Sequence, residues 1–230
     1  MMTLYSYPEL FGVVDNNPFG LKVFAFLKLA GLPFTHRHIF DAKAAPRGQL
    51  PYIVDDGTVV GDSDAIIAYV TARHGVTMDA GLGTEQRTAD LFIRRTLDDL
   101  YWVMSYSRWR DDRFWPAFRE AMLTNHPNLT AEGLTAARDY NFERYRHQGN
   151  GRYEPDEVYA RGLADLDALA SVVPATGFLF GPQPTSADAA LYGFIANIVY
   201  FDIDTPLKRF VVSSRMLLRH SEAIHARVAA

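Results

Sequence analysis

Two helix starts and one strand end hold the residues of this chain best suited to chemistry. In DNNPFGLKVFAFLKLAGL, proline prefers the first helical position, which puts Asn17 on the cap of a helix predicted over 18–29. An asparagine there either only caps the backbone through its oxygen or also turns its amide N–H toward a reactive atom that a ligand brings; being neutral, it is no base. In DSDAIIAYVTARHG, Asp62 and Ser63 open a second helix predicted over 62–75. Free backbone N–H groups and the helix dipole favour an anion at such a start, and capping needs only one of the two side chains. Tyr5 and Tyr7 lie on a predicted strand over 3–7. Tyr7, nearest the strand end, is the better candidate for a phenolic contact to a ligand; the alternative is packing.

His36 and His38 share one strand face, but no carboxylate supplies a third ligand, so no metal site is expected. The 230 residues include no cysteine, which excludes disulfides, thiolate metal sites and a cysteine nucleophile. Any sulfur chemistry must use sulfur carried by a ligand. The net charge is −4, and Lys and Arg never form a basic block, so neither nucleic acid nor an anionic membrane surface is an expected partner. No apolar run approaches the ~18 residues of a spanning helix, and MMTLYSYPEL does not read as a secretory leader. The expectation is a cytoplasmic protein.

The elements that must hold these residues fall into two sets. Strand and helix signals alternate through residue 75, with Asp56-Gly57 between β-branched runs marking a hairpin over 51–60. VTMDAGLGTEQ then reads as a linker, after which strand signals nearly vanish. Leu97, Leu100, Tyr101 and Met104 mark a long helix over 86–110, and Thr185 with Asp188 forms a capping box ahead of another over 184–199. The expectation is a small α/β domain over 1–76 and an all-helical domain over 86–230.

The stretch GQLPYIVDDGTVVGDSDAIIAYV resembles the glutathione-binding segment of the glutathione S-transferase superfamily, through Leu50-Pro51, Asp56-Gly57 and Asp62-Ser63. PTSADAAL resembles the capping motif of that superfamily's helical domain, and NPFGLKVFAFLKLAGLPF is most like the divergent branch that includes Fax and metaxin-like proteins. The resemblance implies a thioredoxin-like N-terminal domain followed by an all-α C-terminal one, and a homodimer. It implies a cis bond before Pro51, with the Leu50 backbone pairing the cysteinyl backbone of glutathione. Ser63 would hold the γ-glutamyl carboxylate, Asp62 the ammonium group, and Lys22 either serves the same ligand or is solvated. The sulfur would lie near Asn17 or Tyr7. Tyr101, Tyr106 and Trp109 would offer aromatic surface to a small apolar electrophile, although core packing is the expected role of at least half of these aromatics. Members of this superfamily also include non-catalytic association modules and glutathione-dependent isomerases or dehalogenases. Asn17 in place of serine or cysteine favours the module, and the intact Pro51 and Asp62-Ser63 favour an enzyme.

Overall fold

The computed structural model describes residues 1–229. Its first part runs β1 (Met2–Ser6), α1 (Pro18–Leu29), β2 (Phe34–His38), β3 (Tyr52–Asp55), β4 (Thr58–Gly61) and α2 (Ser63–His74). The four strands form one sheet in the order β2-β1-β3-β4, with β1 parallel to β2 and antiparallel to β3. A parallel pair needs a crossover, and α1 provides it. The β3–β4 hairpin turns at Asp56 and Gly57, whose φ angles of 46° and 85° suit the tight turn expected there. Gly75, at φ 65°, ends α2 in the left-handed conformation that glycine tolerates best.

Seven further α-helices follow among the described residues: α3 (Thr84–Trp109), α4 (Trp115–Asn125), α5 (Ala131–Gln148), α6 (Pro155–Val172), α7 (Ser186–Val199), α8 (Pro206–Ser213) and α9 (Arg215–Val228). This is the thioredoxin-like sheet domain plus helical domain that the sequence leads one to expect. None of the described helices is long and apolar enough to cross a membrane.

Helix α7 joins the two parts. It is buried almost throughout, and it packs directly along α1. Gly193 permits the close approach, because a Cβ there would lie 2.5 Å from the Pro18 carbonyl oxygen and 2.8 Å from the Lys22 backbone nitrogen. The apolar residues Leu21, Val23, Ala25, Phe26 and Leu27 of α1 are wholly buried in the resulting core. The VTMDAGLGTEQ linker is not loose along its length: Asp79 accepts from the backbone N–H and the hydroxyl of Ser186, tying it to the start of α7.

Candidate active site

The pairing register brings the glutathione-motif residues together. Tyr52 pairs with Gly61 across the hairpin and with Tyr5 across β1. The residues just beyond those pairs, Leu50-Pro51, Asp62-Ser63 and Tyr7, therefore cluster at one end of the sheet. The Leu50–Pro51 bond is cis. Among the described residues, no hydrogen bond engages the Leu50 backbone.

At the start of α2, the ambiguity between Asp62 and Ser63 resolves. Asp62 is the cap, its Oδ1 accepting from the backbone N–H groups of Asp64 and Ala65 at 3.0 Å each. Its backbone sits at φ 79°, a conformation side chains rarely adopt. Ser63 is thereby released from capping. Its Oγ accepts from Lys22 Nζ at 3.1 Å, which leaves the hydroxyl hydrogen available to an outside acceptor. Lys22 is not solvated but 3% exposed. It also donates to Asp64 Oδ1 at 2.6 Å, and Arg94 of α3 donates to the same oxygen at 2.8 Å. Burial lowers the Lys22 pKa against the opposing pull of Asp64.

The start of α1 is built differently. Asn17 caps it, with Oδ1 accepting from Phe19 N–H at 3.0 Å. The side-chain NH₂ has no partner among the described residues. Asp15 Oδ1 accepts from the Asn17 backbone N–H at 2.8 Å, fixing the cap residue from below. Asp15 is fully buried, its second oxygen lies against Gly20, and burial lifts its pKa to about 8, which favours the protonated form near neutral pH. Arg108 of α3 donates to the carbonyls of Asn16 and Asn197. Its guanidinium is buried, and burial lowers its pKa to about 10. A buried positive charge therefore stands behind the positive end of α1.

In front of Asn17 lies a cavity of about 380 Å³ whose lining includes Tyr7, Asn17, Tyr101, Trp109, Arg108 and Arg144. The Tyr7 pKa is pushed up to about 12, by burial first and then by Tyr101 and Asp15, so the phenol stays a proton donor. Tyr101 and Trp109 both border this cavity. Tyr106 lies outside it: five residues beyond Tyr101, it turns to the opposite side of α3 and packs on Tyr145 and Tyr159 at 5.8 and 6.3 Å. It lines a separate polar hollow with Arg110 and Asp111. Asp15, Arg108 and Arg144 were not singled out from sequence. The one available signal was spacing, since Arg108 follows Tyr101 and Met104 on one helical face.

His36 Nε2 lies 2.7 Å from Ser6 Oγ, and burial drops its pKa to about 4, with His38 adding to the effect. Among the described residues no group of three or more His, Cys, Asp or Glu side chains is assembled.

Comparison with known proteins places this geometry. Residues 18–114 match the glutathione S-transferase N-terminal domain, and residues 162–224 match the glutathione S-transferase C-terminal domain. The isoprene-epoxide–glutathione S-transferase of Rhodococcus sp. strain AD45 is 34% identical over 207 residues, covering 86% of this chain and 87% of that protein. Failed axon connections of Drosophila melanogaster is 26% identical over 224 residues, covering 90% of this chain and 53% of that protein. The crystal structure of the beta-etherase LigF from Sphingobium sp. strain SYK-6 superposes with a TM-score of 0.65 at 17% identity, over 99% of this chain and 97% of that one. A glutathione transferase family member from Pseudomonas fluorescens, solved with two glutathione molecules bound, gives 0.64 at 15% identity over 99% and 90%. On the strength of the Rhodococcus relative and both domain matches, this chain belongs to the glutathione S-transferase family.

Proposed function

We propose that this protein binds glutathione and adds its thiolate to a small electrophile. The observation that carries the reading is the division of labour at α2: Asp62 performs the capping, while Ser63, braced by buried Lys22, keeps a hydrogen-bond donor at a positive helix end. That arrangement suits the γ-glutamyl carboxylate. The outer oxygen of Asp62 takes the ammonium group, and Leu50, ahead of cis-Pro51, pairs with the cysteinyl backbone.

The sulfur then faces the start of α1. A free thiol with a pKa of about 8.5 is mostly protonated at neutral pH. The α1 dipole, the Asn17 amide N–H and the Arg108 charge all favour the thiolate, and protonated Asp15 does not oppose it. Bound beside the cavity, the thiolate is held close to its target, which converts a two-body encounter into a local one. The name of the Rhodococcus relative makes an epoxide the electrophile to try first. The S–C bond forms as the C–O bond breaks, the electron pair passes to oxygen, and that oxygen takes a proton from the Tyr7 phenol. The proton lost by the thiol restores Tyr7 through solvent, so the product is the sum of the two reactants.

We place the protein in the cytoplasm, where the reduced glutathione pool is held. We also propose pairing into a homodimer, supported by Leu91 and Phe92, which stand 51% and 68% exposed on α3.

Incubation with glutathione and styrene oxide, followed by mass spectrometry, is expected to reveal the adduct. Asn17→Ala is expected to bind glutathione normally and to lose about tenfold in turnover, the size of one lost hydrogen bond to a charged group. A variant that only melts earlier, at full turnover, would leave Asn17 a cap. Absence of adduct, with glutathione bound, would favour the association module.

A further inference from the structure

The cavity in front of Asn17 contains positive charge and nothing to balance it. Two arginines line it, and among the described residues no Asp or Glu does. Arg108 is committed elsewhere, to backbone carbonyls and to the face of Phe201 at 4.7 Å. Arg144 of α5 is not. It donates from Nη1 to Asn141 Oδ1 at 2.9 Å and interacts with the Tyr101 hydroxyl, and among the described residues no carboxylate pairs with it.

The guanidinium is nonetheless held in place. It lies 5.0 Å from the ring centre of Trp102, 5.8 Å from that of Tyr140 and 6.0 Å from that of Tyr101. Aromatic faces attract a cation without saturating its N–H donors. A half-buried guanidinium, oriented by rings and short of acceptors, is a preorganised fork for a carboxylate. Around it the lining is largely apolar, with Met104, Phe118, Met122 and Leu134.

We infer that the electrophile accepted by this cavity is an apolar molecule bearing a carboxylate, which Arg144 receives. The inference rests on the transferase reading for the word electrophile, but the anion site is testable without any reaction.

Equilibrium dialysis of 4-phenylbutanoate and 4-phenylbutanamide, matched in size and differing in charge, isolates the contribution of the carboxylate. The wild type is expected to bind the acid at least tenfold more tightly than the amide. Arg144→Gln should bring the two within about twofold, and Arg144→Lys should keep part of the preference, since it retains charge without the fork. Saturating glutathione should leave acid binding unchanged. Equal binding of the two probes by the wild type would overturn the inference, as would a preference that survives Arg144→Gln. Loss of acid binding when glutathione is added would assign Arg144 to a glutathione carboxylate and overturn it too. If Arg144 only props α5 against α3, the variant melts earlier while the preference stands. A protein that selects the acid but gives no heat with glutathione would sink the transferase reading and leave this site intact. The converse result would do the reverse.

Discussion

Asp188→Ala is expected to lower the melting temperature by roughly 10 °C. The carboxylate sits inside the helical domain at zero exposure and gathers four donors. Oδ2 accepts from the backbone N–H and the hydroxyl of Thr185 at 2.8 Å each, closing the capping box of α7. Oδ1 accepts from Leu179 N–H at 2.9 Å and from Nε2 of fully buried His220 at 2.8 Å, which ties α9 to the start of α7. Alanine leaves all four donors unpaired in a dry interior. Removing one side of a buried, hydrogen-bonded pair costs about 3–5 kcal/mol. In a chain of this size each kcal/mol moves the midpoint by about 2–4 °C.

Burial alone would raise the Asp188 pKa; the donors, His220 foremost, outweigh it and hold the carboxyl below its ordinary value. The stabilisation is therefore complete above the unfolded carboxyl pKa of about 4 and is lost as pH falls through the lower folded value. The gap between wild type and variant should narrow as the pH falls from about 6 into strong acid. Calorimetric melts across that range check both statements. A loss under about 1 kcal/mol would mean that the network contributes little.

Gly193→Ala is expected to damage stability and catalysis together. The added Cβ would lie 2.5 Å from the Pro18 oxygen and 2.8 Å from the Lys22 nitrogen. Both are backbone atoms of α1, so no side chain can swing away, and α1 must move as a unit. Overpacking of this kind costs about 1–3 kcal/mol. The displaced helix carries Asn17 at its cap and Lys22 against Ser63, which are proposed to serve the sulfur and the carboxylate. A misplacement of about 1 Å at reacting atoms can cost a hundredfold in rate. Turnover should fall by that order, more than the loss in stability alone would produce. Gly81→Ala is the control, since nothing lies within 4 Å of a Cβ there. Normal turnover in Gly193→Ala would show that the α1–α7 contact does not position the site.

Local signals in the sequence carried much of this arrangement. Asn-Pro at one end and Ala-Gly at the other bound α1 at Pro18 and Leu29, and Asp-Gly marked the hairpin. These are short-range effects, decided by φ restriction and capping, and neighbours in sequence suffice to read them. The cavity was less legible. Helix α3 buries more than one face, so spacing alone could not separate Tyr101, which borders the cavity, from Tyr106, which meets Tyr145 behind it. Arg108 and Arg144 carry no local signal, because the groups around them come from elements distant in sequence. Asp15 is buried beneath the α1 cap only by the fold.

The central claim is that the start of α2 receives a carboxylate of glutathione through Ser63. Isothermal calorimetry of glutathione against the wild type and Ser63→Ala tests it most directly. The account predicts heat of binding in the wild type and an affinity about tenfold weaker in the variant, as loss of a charge-assisted hydrogen bond requires. No heat from the wild type at millimolar glutathione, or equal affinity in both proteins, would contradict it.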